Sequence, residues 1–107
     1  MAANNENKPR ALAGLVEYNY DSIVSRSLLP GENGNVTLFA FYKGQSLSEH
    51  TTPFDALIYV LEGEAEVVIG GEPHRLSGGD SIIMPPDVPH AVSAPADFKM
   101  LLVMIKG

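Results

Sequence analysis

The chain contains no cysteine. That excludes a disulfide framework, a thiolate nucleophile and any cysteine-ligated metal centre. Tryptophan is absent as well, and cations are scarce: seven Lys and Arg stand against thirteen Asp and Glu, for a net charge of −6. The basic residues are scattered singly, and an acidic surface repels phosphate backbones, so no nucleic-acid partner is expected. No apolar run reaches the ~20 residues of a membrane helix. The opening Met1-Ala-Ala-Asn-Asn-Glu-Asn-Lys-Pro-Arg10 lacks the apolar stretch of a signal peptide. With no membrane segment and no address, the expected location is the cytoplasm.

What is present is a chain of 107 residues, 45% hydrophobic and 19% charged, the size and balance of one globular domain. A domain of that size buries roughly two-thirds of its unfolded surface, enough for a core without staples. Residues 1–20 read as a flexible or loosely packed N-terminal segment. Within them Ala11–Tyr20 is either one helical turn or an edge strand, and Gly14 interrupts it. From there to the C-terminus, Gly, Pro, Asn and Asp punctuate short β-rich runs, the pattern of an all-β sandwich or barrel.

The runs are Ile23–Leu29, Val36–Lys43, Leu47–Thr52, Ala56–Leu61, Glu64–Ile69, Glu72–Leu76, Ser81–Met84, His90–Ser93 and Phe98–Ile105. Glu62-Gly63 marks a kink or bulge between two of them. Gly70-Gly71 is a two-residue hairpin signal, because both central positions of a type I′ turn need a positive φ. So many short strands dispose of their edges best by closing into a barrel over residues 21–107.

Residues 36–42, 57–61 and 100–105 are apolar at successive positions, so both faces of those strands call for burial. The barrel interior covers one face. A second copy of the chain, forming a two-fold homodimer, is the expected cover for the other; the alternative is the N-terminal segment folding over it.

Three histidines carry the candidate chemistry. His50 and His90 each abut a Pro-bearing loop, and His74 sits in the strand returning from Gly70-Gly71, where it reads as surface. In strands the side-chain period is two, so His50 shares a face with Thr52, and His90 with Val92. If His50 and His90 both point inward, two imidazoles face one pocket. Each taken singly reads more readily as an ordinary half-buried histidine with a hydrogen-bonded partner. Ala56, Ile58 and Val60 share one face and, with Met84, are candidate apolar walls. Glu62, Glu64 and Glu66 read as outward, solvated charges.

Gly44-Gln-Ser-Leu-Ser-Glu-His50-Thr-Thr-Pro-Phe-Asp-Ala-Leu-Ile-Tyr-Val-Leu-Glu-Gly63 resembles the first motif of the cupin superfamily: Gly, five residues, His-x-His, three or four residues, Glu, six residues, Gly. Gly79-Asp-Ser-Ile-Ile-Met-Pro85-Pro-Asp-Val-Pro-His90-Ala-Val-Ser-Ala94 resembles the second: Gly, five residues, Pro-x-Gly, two residues, His, three residues, Asn. The resemblance implies a cupin-type double-stranded β-helix, a single-domain jelly-roll barrel of the small cupins that are commonly dimers.

In that family two His and a Glu of the first motif, with the His of the second, usually ligate one divalent metal. By the resemblance His50 and His90 hold the outer two positions here, while Thr52 stands in place of the second His and Ala56 in place of the Glu. Asp87 and Ala94 replace the Gly and Asn of the second motif. Asp55, next to the Glu position, would face away from Ala56 in a regular strand. Two imidazoles fall short of the three protein ligands of a catalytic zinc or non-haem iron site, so no cofactor is assigned beyond a weakly bound divalent metal such as nickel, zinc, iron or manganese.

The leading expectation is therefore a small-molecule-binding cupin without a complete metal site. Its pocket would be lined by His50, His90, Thr52, Ala56, Ile58, Val60 and Met84. The runner-up is a metal-dependent enzyme of dioxygenase, isomerase or decarboxylase type with a reduced two-His site. Metal-free acid–base catalysis pairing a histidine with Tyr59 or Tyr42 ranks third. A sensor role would need a protein partner, because the segment ahead of the barrel is too short for a helix-turn-helix.

Overall fold

Eight strands follow one short 3-10 turn in a computed structural model of the chain, which describes residues 7–107. The turn is Leu12–Leu15. The strands are β1 (Ile23–Leu29), β2 (Gly34–Phe41), β3 (Ser46–His50), β4 (Phe54–Ile69), β5 (Glu72–Ser77), β6 (Ser81–Met84), β7 (His90–Ser93) and β8 (Phe98–Lys106). All pairings are antiparallel. One sheet runs β1-β2-β8-β4-β6, the other β3-β7-β4-β5. They share β4 and fold over one core as a jelly-roll barrel.

The sharing of β4 corrects an expectation. Ala56–Leu61 and Glu64–Ile69 are one sixteen-residue strand, not two. Its register against β8 shifts between Val60 and Glu62, and Gly63 follows at φ +83°. A bulge bends a strand without ending it, so the first half of β4 pairs with β8 and β6 and the second half with β5 and β7. Glycine is required at the bend. A Cβ on residue 63 would run into the Asp97 carbonyl oxygen and the Phe98 backbone. Gly70 and Gly71 both have positive φ, and the hairpin they make closes on the Ile69–Glu72 pair.

Alternation along β4 builds the core. Ala56, Ile58 and Val60 point inward and are buried, while Asp55, Leu57 and Tyr59 point outward. Phe41 and Phe98, cross-strand partners, stack with ring centroids 4.5 Å apart and are fully buried with Val67 and Met100. Burying each such ring contributes about 2–3 kcal/mol, so this stack anchors the interior.

The N-terminal segment is less loose than expected from Leu12 onward; residues 1–6 of the expected segment lie outside the described residues. Leu12, Leu15, Val16 and Tyr18 pack on the outer face of the first sheet, against Leu38, Ala40, Leu61 and Leu101. Val16 is buried there. The Tyr18 hydroxyl donates to Glu62 Oε2 at 2.7 Å. Lys99 Nζ donates to the Ala13 carbonyl at 2.6 Å and lies 5.0 Å from the Tyr18 ring centroid. Burial, and then the bond to Glu62, hold the Tyr18 phenol well above its ordinary pKa. Glu62, expected as a solvated charge, is thus half-buried and bonded. Glu64 is exposed and pairs with Arg75 at 3.1 Å. His74 is half-buried beside β4, 3.8 Å from Glu72 Oε1.

Candidate functional site

His50 ends β3 and His90 begins β7, and the two are direct cross-strand partners. A register shift between Leu47 and His50 brings His50 into that position. His90 and Val92 are both buried on the same inward face, as alternation predicts; on its other side His90 pairs with Ile69 of β4. The two imidazoles meet edge-on with centroids 4.4 Å apart. Their Nε2 atoms are 3.2 Å apart.

The other nitrogen of each ring is tied down. His50 Nδ1 lies 2.8 Å from the Ser48 carbonyl, and His90 Nδ1 lies 3.2 Å from the Val88 carbonyl. A carbonyl oxygen only accepts, so each Nδ1 carries the hydrogen, and in a neutral ring each Nε2 is then an acceptor. Two lone pairs facing each other at this distance repel. A proton, a donor hydrogen of a ligand or a cation between them removes the conflict. His50 is exposed and His90 is 3% exposed. Burial, only partly opposed by the Val88 bond and reinforced by the neighbouring His50, holds the His90 pKa below its ordinary value. Burial thus disfavours the charged form of the His90 ring.

Two loops frame the pair. Residues 51–53 lead from His50 to β4, and residues 85–89 lead from Met84 to His90. They are joined by a backbone bond from Asp87 N–H to the Thr52 carbonyl at 2.8 Å. Asp87 sits at φ +65°, so the carboxylate residue standing in place of glycine keeps the left-handed turn; Asp tolerates that region better than most residues. The Thr52 hydroxyl accepts the Phe54 N–H at 3.3 Å. Ala56 and Met84 are cross-strand partners, both buried. Ile58 and Val60 are deeper, fully buried members of the core.

The remaining candidates lie elsewhere. Asp55 is exposed on the outer face, with Leu57 and Ile105. Tyr59 faces outward too, away from the histidines, and Tyr42 packs edge-on against Tyr20 with centroids 5.1 Å apart. Among the described residues no group of three or more His, Asp or Glu side chains converges as a metal site. Two ligands bound 2.0–2.1 Å from one ion stand about 3.0–3.4 Å apart, so the Nε2 separation suits a shared ion. The donor set is nonetheless one short of a three-ligand centre, and the residues present do not complete one. The Ser48 and Val88 carbonyls that orient the rings, and the Asp87–Thr52 link, are backbone contacts that no side-chain pattern signals.

A family model described as a cupin domain matches residues 37–106. The chain is a cupin. A conserved Streptococcus pyogenes protein of unknown function shares the fold at TM-score 0.91 and 37% identity, covering 94% of this cupin and 89% of that chain. A cupin superfamily protein from Desulfitobacterium hafniense superposes at TM-score 0.89 and 29% identity, covering 94% and 93%. Protein SchB of Streptomyces halstedii is 34% identical over 65 residues, which are 60% of this cupin and 47% of that protein. This cupin thus spans about half the length of the curated relative it matches.

Proposed function

We propose that this cupin binds a small molecule at the mouth of its barrel, with His50 and His90 gripping one polar group of it. The observation carrying this reading is the pair of opposed Nε2 atoms 3.2 Å apart, each ring locked through its Nδ1. Locked rings lose little freedom on binding, and unsatisfied acceptors reward a ligand that brings a donor such as a hydroxyl. Buried Ala56 and Met84 at the joined loops supply the apolar company a ligand site usually has. The Thr52 hydroxyl, which accepts the Phe54 N–H, helps to order the loop between His50 and β4.

A second reading keeps a metal. Nδ1 bonded to a backbone carbonyl is how a ligating histidine is usually oriented, and the Nε2 spacing suits one ion held weakly by two rings. In that reading the protein is a metal-dependent enzyme, with a substrate oxygen and water filling the remaining positions.

Elemental analysis of untagged protein, with His50→Ala and His90→Ala alongside, separates the two. Little metal, unchanged by either substitution, together with a thermal shift from a panel of small hydroxylated compounds that both variants lose, supports the binding reading. Near-stoichiometric nickel, zinc, iron or manganese lost in both variants overturns it and moves the metal reading ahead.

A further inference from the structure

The inner face of the first sheet is not apolar throughout. Two lines of residues cross it in direct register: Ser27, Thr37, Leu102 and Ile58, and, one level nearer the mouth, Asn35, Met104, Ala56 and Met84. Directly opposed residues share a face of a sheet, and buried Ile58, Ala56 and Met84 fix this face as the core side. Each line therefore begins polar, on β1 or β2, and ends apolar. Asn35 and Thr37 are half-buried and Ser27 is exposed. A core-facing strand position is ordinarily apolar, so these three side chains face something other than packed hydrocarbon.

They share one space with the histidine pair. β2 turns into β3 through residues 42–45, where Gly44 N–H donates to the Ala94 carbonyl at 2.8 Å. β3 then runs back, so His50 at its far end stands at the end of the barrel where β2 begins, beside Asn35. Met84, closing the second line, leads through residues 85–89 to His90. β1 and β3 are the outermost strands of the barrel's strand order and do not pair with each other, which leaves the space between the sheets open on that side. A second observation points into the same space. His90 is 3% exposed, its Nδ1 is held by the Val88 carbonyl, and its Nε2 faces the Nε2 of His50, another acceptor, at 3.2 Å. Resting on the histidine reading above, we infer that this space takes an uncharged polyhydroxylated molecule, a polyol or sugar, with one hydroxyl at the two rings and others on Ser27, Asn35 and Thr37, which set its specificity.

The donor and acceptor count fits that class. Ser, Thr and Asn side chains each donate and accept, as a ligand hydroxyl does, while the two Nε2 atoms accept only. A row of hydroxyls pairs with both walls and leaves no polar group orphaned. Asn35 and Thr37 stand about 7 Å apart along β2, and Ser27 about 5 Å across from Thr37, the reach of a five- or six-carbon chain. Leu102 and Met104, half-buried beside them, meet its C–H faces. Charge fits as well. Among the described residues Lys106 is the one charged side chain on this inner face, and it lies exposed at the rim opposite Phe54. In a chain of net charge −6, a carboxylate or phosphate finds no cation deeper in the space.

Isothermal titration calorimetry on the full chain tests this with three six-carbon probes: sorbitol, 1,2-hexanediol and gluconate. The parent is compared with Ser27→Ala, Thr37→Val and His50→Ala. Thr37→Val keeps the side-chain shape and suits a strand, Ser27 is exposed, and unchanged far-UV circular dichroism checks both folds. The expected result is saturable sorbitol binding, weakened at least about fivefold by each of the two strip substitutions, while 1,2-hexanediol, which lacks the outer hydroxyls, responds to neither. A merely structural role for Ser27 or Thr37 would weaken both compounds alike, and that outcome overturns the proposal. So does sorbitol binding indifferent to both substitutions, or absent up to about 50 mM, weaker than a millimolar contact. Gluconate bound at least about tenfold more tightly than sorbitol overturns the uncharged class. The histidine reading is scored separately, by whether binding of 1,2-hexanediol is lost in His50→Ala.

Discussion

The Tyr18 hydroxyl donates to Glu62 Oε2 at 2.7 Å, joining residues 44 positions apart. This bond fastens the N-terminal segment to the bend in β4, where Lys99 also lies 4.0 Å from the same carboxylate oxygen. Tyr18→Phe keeps the ring over Lys99 and removes only the hydroxyl. The Glu62 side chain is 44% exposed and can turn to water, so the expected loss is about 1 kcal/mol, that of an ordinary hydrogen bond and below the range for a bond to a charged group. Thermal melts of the variant should show Tm lowered by about 4–8 °C. An unchanged Tm would mean the segment is held by its apolar contacts alone.

The strands were legible because alternation and turn residues are local signals. Ile23–Leu29, Ser81–Met84 and His90–Ser93 fall where the pattern puts them. The shared face of His90 and Val92 follows from the same period. The continuity of β4 was not legible, since Glu62-Gly63 marks a bend equally well whether the strand resumes or stops; only its pairing with two different sheets decides. The anchoring of Leu12–Tyr18 was hidden for a related reason. Its partners, Leu38, Leu61, Glu62 and Lys99, are distant in sequence, and a short stretch broken by Gly14 has no period to reveal its buried side. At the site, the two histidines and the replacements Thr52 and Ala56 were legible through the resemblance to the cupin motifs, whereas the carbonyls that orient the rings were not.

The two histidines should respond differently to truncation. His50 is exposed and ends its strand, so His50→Ala is expected to change stability by no more than about 0.5 kcal/mol. His90 is 3% exposed, paired with Ile69 and bonded to Val88, so His90→Ala is expected to cost about 1–3 kcal/mol. Urea titrations give both values. Equal costs would show that the edge-on contact between the rings, not the burial of His90, sets the stability of this end of the barrel.

Gly63→Ala is expected to be among the most damaging small substitutions. The added methyl meets the Asp97 carbonyl oxygen and the Phe98 backbone, none of which is a flexible side-chain tip, and the residue must also hold φ +83°. A loss of about 3 kcal/mol or more follows, or failure to fold, read by circular dichroism and yield. Gly71→Ala is the internal comparison. It shares the positive φ but meets nothing within 4 Å, so its cost should stay near about 1 kcal/mol. Similar losses at both positions would show that backbone strain alone, and not the close approach at Asp97, makes residue 63 a glycine.

Burial disfavours the charged form of His90 in the folded chain and holds its pKa below the ordinary 6.5. The unfolded chain takes up a proton on this ring as pH drops through 6.5, while the folded chain takes it up only at lower pH. The unfolded state therefore binds more protons in that window, and stability falls as pH falls. The contribution is complete above pH 6.5 and fades as pH drops through the lowered value. Carboxylates titrate at the acid end of the same range, so the quantity to measure is a difference. Metal-free parent and His90→Gln are unfolded with urea at a series of pH values from about 8 to 5. The parent should lose more stability than the variant below pH 6.5, and the two curves should run parallel above it. Parallel curves throughout would show that His90 takes up its proton equally in both states.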